Sequence, residues 1–479
     1  MKKILIIIIC FTLFSCEDVL VENPKSIAVE TFYNTSDELD AAIAAIYGTM
    51  KGGGCMGGRY PAAQNASVDY AYGRGSYAEV SEFQGLGSTN INRVQGIWEA
   101  FYQSIRNANL VIKNAPEGNE LTSDEIAESV GEAKFLRALI YFIMVRNWGG
   151  LPIRTEDNMD EIDISRGSVD NVYELIKEDL LFAEANLPDE APVSGRASKW
   201  AAKTVLADVY FYLGKYTDAR DKALEVINSN KYSLVEVSDA DDFANIYGPE
   251  VITTSEEIFY LKYSRDADQG WNYVLYNHHP GSGLHPNGGY YIIYTDKEES
   301  SFIKNWDTED LRYKYQWYDW DIGFGSSTML NKKFADPDAT STYGAGNDYP
   351  LYRYADVLLL YAEADCQVSN APTTDAMEKL NMIHRRAYGK NPLVSSEIDF
   401  QLLDYDKESF IELVLKERGY ETMWEGKRWL DLKRTGEVTE IIKDATGKDV
   451  AEKHLLWPIP VSELEYNKAI TADEQNPGY

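Results

Sequence analysis

The chain is short of cysteine, histidine and positive charge. Four cysteines and five histidines stand among 479 residues. Beyond Cys16 only Cys55 and Cys366 remain, with no CxxC, which excludes the disulfide framework of small secreted domains. Their spacing leaves open whether these two pair. Lysine and arginine number 46 against 77 aspartates and glutamates, a net charge of −31 spread along the chain. That balance argues against nucleic acid, whose phosphates need basic patches, and against direct docking on anionic lipid head groups. It favours a neutral ligand over an acidic one. Motifs for chemistry are missing as well. There is no HExxH, Walker loop or GxSxG, and Gly73–Arg74–Gly75–Ser76 lacks the spacing of a nucleophile elbow. With 77 acidic residues, paired carboxylates arise by chance and nominate no glycosidase. We therefore expect no catalytic residue, no metal and no cofactor.

Long apolar runs are also absent, save one at the start. Lys2–Lys3 precedes the run Ile4 to Leu13, too short to span a bilayer but suited to a signal-peptide core. It leads into Leu13–Phe14–Ser15–Cys16, which resembles a lipoprotein cleavage box. Residues 1–15 read as a lipoprotein signal peptide, Cys16 as the lipidated residue, and 16–35 as a tether and first anchor.

Helical periodicity then dominates. Ser36 is placed to cap a helix over Asp37–Met50, ended by Gly52–Gly53–Gly54. From Tyr60 to Asn92 the chain reads as a loop carrying Asp69, Tyr70, Tyr72, Arg74 and Tyr77. Helices resume at Trp98, over Glu132–Trp148, and over Val169–Asn186. Leu206–Ala207, Tyr210, Gly214, Tyr216 and Ala219 fit the spacing of a tetratricopeptide repeat, with small residues where two helices meet and glycine in the turn. Weaker copies lie at Glu132–Trp148, Leu351–Val368 and Asp375–Tyr388; such units bury their faces only by stacking. The expected division is an N-terminal helical part (36–250) with a ligand loop at 60–92, a loop-rich aromatic lobe (251–349) and a C-terminal helical part (350–479).

The lobe is distinctive. Thirteen of the fifty residues from Trp271 to Trp320 are aromatic, twice the chain average of 13%. They alternate with Asn, Asp, Gly and Pro in neither helix nor strand period. Trp and Tyr on irregular backbone can stack flat ligands, because each offers an apolar face and a polar edge. Some of these rings must instead be core. The candidate ligand contacts are Asp69, Tyr72, Arg74, Tyr77, Trp271, Tyr290, Trp306, Trp317 and Trp320. His278, His279 and His285 in a glycine-rich segment read as solvent-facing or ligand-bonding rather than zinc ligands. Asp239–Glu250 has the acidic positions of a calcium loop, but Phe243 and Ala244 spoil it.

The C-terminal motifs carry a resemblance. Tyr352–Arg353–Tyr354–Ala355–Asp356 through Glu363, Leu380–Asn381–Met382–Ile383–His384–Arg385–Arg386, Glu417–Arg418 with Trp424–Glu425–Gly426, Arg428–Trp429 and Asp431, and Trp457–Pro458–Ile459–Pro460 to Asn476–Pro477–Gly478 together resemble the SusD/RagB family of outer-membrane lipoproteins of Bacteroidetes. The spacing of Glu417, Arg418, Glu425, Arg428 and Asp431 suits ion pairs rather than catalysis. The resemblance implies a mostly α, tetratricopeptide-like helical scaffold with a variable, loop-rich ligand-binding lobe. It further implies a lipid-anchored protein of the outer membrane, facing outward, that captures oligosaccharides for a SusC-like TonB-dependent transporter. The alternative is the same architecture with a non-sugar cargo such as peptide.

Overall fold

The computed structural model describes residues 32–340 and 344–479. The expected signal peptide, Cys16 and most of the expected tether lie outside them. Helix α1 (Ser36–Lys51) is capped by Thr35, one residue before the expected cap. The Thr35 hydroxyl accepts from the Glu38 amide while the Glu38 carboxylate accepts from the Thr35 amide at 3.0 Å. Thr-x-x-Glu satisfies two orphan amides where Ser36 would satisfy one. Helix α2 (Ser88–Asn114) starts ten residues earlier than expected, and α3 (Ser123–Trp148) nine earlier. Their first turns bury only Asn90 and Val94, and Val130, too few apolar residues to show a period.

Next come α4 (Val169–Asn186), α5 (Lys199–Tyr212) and α6 (Tyr216–Asn228). The C-terminal part supplies α7 (Tyr354–Ser369), α8 (Thr374–Ala387), α9 (Lys407–Glu421), α10 (Arg428–Thr435) and α11 (Val438–Thr446). Each helix from α1 to α6 packs on the next, α6 packs on α7, and α7 packs on α8 and α9. This is a repeat stack in which each helix buries the face its neighbour leaves bare. In the α5–α6 turn Gly214 takes φ +69°, and Ala207 and Ala219 are buried where the pair closes. Helix α7 is buried from Tyr354 through Cys366, as a helix at the centre of a stack must be. Cys55 and Cys366 are both free and buried.

The middle of the chain is less irregular than its sequence. Strands β1 (Tyr72–Gly73), β5 (Ile293–Asp296), β7 (Thr328–Asn331) and β6 (Trp317–Asp319) form one antiparallel sheet in that order. Between α3 and α4, β2 (Leu151–Pro152) pairs with β3 (Arg166–Gly167). Strand β4 (Glu257–Leu261) pairs with β8 (Tyr349–Arg353), which leads into α7. The expected loop at 60–92 likewise contains a helix at Arg59–Asn65, strand β1 and a short helix at Ala78–Ser81.

Buried charge bolts this lobe to the helices. Arg353 pairs with Glu421 at 2.8 Å and Glu425 at 2.7 Å, and Arg386 reaches Glu421 at 2.5 Å. From the lobe, Lys333 reaches Glu425 at 2.7 Å and Arg312 reaches Glu417 at 2.8 Å. Opposite charges hold Glu417 and Glu425 down at about 2, against the desolvation that opposes them. Burial also lowers Lys333, to about 8.

Candidate functional site

Strand parity puts Trp317 and Trp320 on opposite faces of the sheet. Side chains two apart share a face of a strand, and cross-strand partners share it too. Tyr72 pairs with Tyr294, Asp296 with Thr328, and Leu330 with Tyr318. These residues therefore define one face, and Arg74 and Trp320, two beyond Tyr72 and Tyr318, continue it. Trp320 stays in register because its amide donates to the Thr328 carbonyl at 3.1 Å. Trp317 falls on the opposite face, inside the core, with its ring 5.5 Å from Trp424.

A return of chain over residues 275–292 lies against the outer face. The Tyr290 amide donates to the Leu275 carbonyl at 2.7 Å, and the Ile292 amide to the Tyr276 carbonyl at 2.8 Å. Between them Tyr291 adopts φ +36°, a left-handed backbone rarely taken by an aromatic residue. The result is a row of four flat groups. Arg74 lies 3.7 Å over the Tyr291 ring, Tyr291 is 4.7 Å from His279, and His279 is 4.8 Å from Trp320. All four are partly exposed, and Tyr290 beside them is 42% exposed. Arg74 is fixed by Nε donating to the Tyr291 carbonyl at 2.6 Å. Gly281 makes room at the far end: a Cβ there would sit 3.3 Å from both the Trp320 ring and His279 Nδ1. The Tyr318 hydroxyl accepts the His279 amide at 3.2 Å.

Three of the nine sequence-nominated contacts, Arg74, Tyr290 and Trp320, meet on this surface. The other six need correction. Trp271 is fully buried, stacked 5.0 Å from Tyr349. Trp306 is stacked 4.0 Å from Tyr420 and donates from Nε1 to Asp310. Trp317 belongs to the core face described above. Asp69 is buried against Arg428, Nη2 to Oδ2 2.6 Å. Tyr77 is buried beneath Arg93, and Tyr72 beneath Lys448. In each case a large ring or a charge found a partner inside, which composition does not reveal. His278 and His285 are likewise buried, not solvent-facing. His278 Nε2 donates to the Phe334 carbonyl at 2.6 Å, and burial lowers its ring to about 4. His279 alone of the three histidines reaches the surface as expected, whereas Tyr291, Tyr294 and Phe324 were not among the nominated contacts. Parity counting from Tyr318 would have separated Trp320 from Trp317.

The site is a shallow platform. Roomier hollows lie elsewhere, of ≈460 Å³ among Tyr47, Lys51, Arg196 and Tyr263 and of ≈390 Å³ among Phe302, Tyr420, Arg428 and Ile441. The cavity of ≈60 Å³ among Tyr60, Arg146, Asp208, Arg418 and Asp431 has room for water only, and its Arg418 is paired with Asp431 at 2.8 Å. No three His, Cys, Asp or Glu side chains among the described residues could hold a metal.

Known proteins match over nearly the whole chain. Residues 293–479 match the model described as the SusD family, and residues 24–211 match one described as starch-binding, associating with outer membrane. SusD-like protein P25 of Formosa agariphila is 25% identical, covering 99% of both chains. A SusD homologue of Bacteroides thetaiotaomicron superposes with a TM-score of 0.80 at 22% identity, over 94% of this chain and 98% of that one. A laminarin-binding SusD-like protein superposes with a TM-score of 0.74 at 23% identity, over 92% and 99%.

Proposed function

We propose that this chain, which belongs to the SusD family, captures oligosaccharides at the cell surface. The observation that carries this reading is the row Arg74–Tyr291–His279–Trp320 on the outer face of the sheet. The C–H faces of a pyranose lie flat on an aromatic ring, while its hydroxyls bond to polar groups at the edge. Here the edges offer the guanidinium of Arg74, the imidazole of His279 and the phenol of Tyr290. Backbone bonds hold the row before a ligand arrives, so little ordering cost falls on binding. A net charge of −31 suits an uncharged ligand.

Lipidation at Cys16 would tether the protein, facing outward, beside a SusC-like TonB-dependent transporter that receives the sugar. A shallow site is consistent with such transfer, because the ligand is not enclosed and leaves without a lid opening. Isothermal titration of the mature protein against a panel of neutral oligosaccharides tests the binding claim. Binding to at least one, weakened about tenfold or more by Trp320→Ala with melting temperature unchanged, is the expected result. A folded protein that binds none would refute it.

A further inference from the structure

The outer face carries more aromatic surface than this row. Phe324, at the tip of the β6–β7 connection, is 58% exposed. The tip is set rather than loose: Asp321 Oδ1 accepts the amides of Gly323 at 2.7 Å and Gly325 at 3.0 Å. Those glycines take φ +95° and +113°, which a residue with a side chain rarely adopts. The turn thus holds a large apolar ring up in water. Phe324 is not isolated. Its ring lies 5.6 Å from half-buried Tyr294, which lies 5.8 Å from Tyr72. Lys448 closes that end, 4.6 Å over the Tyr72 ring and paired with Glu82 at 2.7 Å.

These groups form a second row beside the first. The rows start from Tyr72 on β1 and Arg74 just past it, two residues apart on one face, which sets them about 7 Å apart there. They continue through Tyr294 on β5 and Tyr291 just before it, three residues apart, and beyond β6 through Phe324 and Trp320, four apart. A linear sugar chain lying along the first row places its successive rings on that row alone. Only a substituent projecting sideways reaches the second.

We propose that Tyr294 and Phe324 form a subsite for a branch sugar, so that the preferred ligand is a branched oligosaccharide. This rests on the glycan reading above. Lys448 and Glu82, at the inner end of the row, supply a donor and an acceptor for branch hydroxyls.

The test pairs linear glycans with branched counterparts: cello-oligosaccharides with xyloglucan oligosaccharides, manno- with galactomanno-oligosaccharides, and linear β-1,3-gluco-oligosaccharides with β-1,6-branched ones. Each pair is titrated against the mature protein, Phe324→Ala and Trp320→Ala. For at least one pair the parent should bind the branched member about tenfold tighter. Phe324→Ala should erase that preference while leaving affinity for the linear member unchanged, and Trp320→Ala should weaken both. A parent without preference for any branched member, or a preference that survives Phe324→Ala, overturns the proposal. Failure of the parent to bind any member refutes the glycan reading itself, and the subsite with it.

Discussion

Asp69 and Arg428, 359 positions apart, are joined by a buried double contact: Nη2 to Oδ2 at 2.6 Å and Nε to Oδ1 at 3.1 Å. Asp69 stands three residues before β1, and Arg428 opens α10. The pair therefore pins the strand that carries Arg74 to the C-terminal helices.

Asp69→Ala should cost about 3–5 kcal/mol, because Arg428 would be left charged and buried without its paired carboxylate, held only by the Leu415 carbonyl at 2.9 Å. Urea unfolding measures this. At temperatures where the variant remains folded, affinity for the ligand of the parent protein should stay within about threefold, since the carboxylate does not face the site.

Two tryptophans should separate cleanly. Trp306→Ala removes a ring stacked 4.0 Å from Tyr420 and is expected to destabilise by about 3–5 kcal/mol. Trp320→Ala removes a partly exposed ring and should cost less than about 1 kcal/mol while reducing affinity. Differential scanning calorimetry with titration on the same samples reads both. Equal melting temperatures for the two variants would contradict this placement.

Gly281→Ala puts a methyl group 3.3 Å from the Trp320 ring and His279 Nδ1, so one of those rings must give way. Affinity should fall by about three- to tenfold with little change in melting temperature. An unchanged affinity would show that the Trp320 end of the row does not touch ligand.

Acid should act in two stages. His278 titrates at about 4 in the fold, below its ordinary value of 6.5. Between those values the unfolded chain holds the extra proton, so stability falls as pH drops from 6.5 through 4. Glu417 and Glu425 are held at about 2, below their ordinary 4.5. Their contribution is complete above 4.5 and is lost as pH falls through 2. Urea midpoints from pH 7 to 2 should show both declines, and His278→Gln should reduce the first, to which the burial-lowered His285 and His454 also contribute, while leaving the second unchanged.

Much of the scaffold was legible because it is written in long periods. Leu206 to Ala219 gives helix, turn and helix from spacing alone, and Glu417 to Asp431 gives the ion pairs that lock the end of the stack. The site was half legible. Aromatic density drew attention to 271–320, but density carries no sign for inside or outside. Trp317 and Trp320 differ only by three positions in a strand, and that odd number sends one to the core and the other to solvent. Tyr291 owes its place to a left-handed backbone that no propensity announces, and Arg74 owes its place to a partner 217 positions away.

That last separation has a consequence for biosynthesis. Arg74 emerges early, yet its seat on Tyr291 is made only after more than half the chain exists, and the Asp69–Arg428 clasp waits for nearly all of it. Contacts this distant form late and slowly. A polypeptide interrupted before residue 320 lacks both the end of the row and α7, on which α6 packs, so ligand binding serves as a report that translation ran past Trp320.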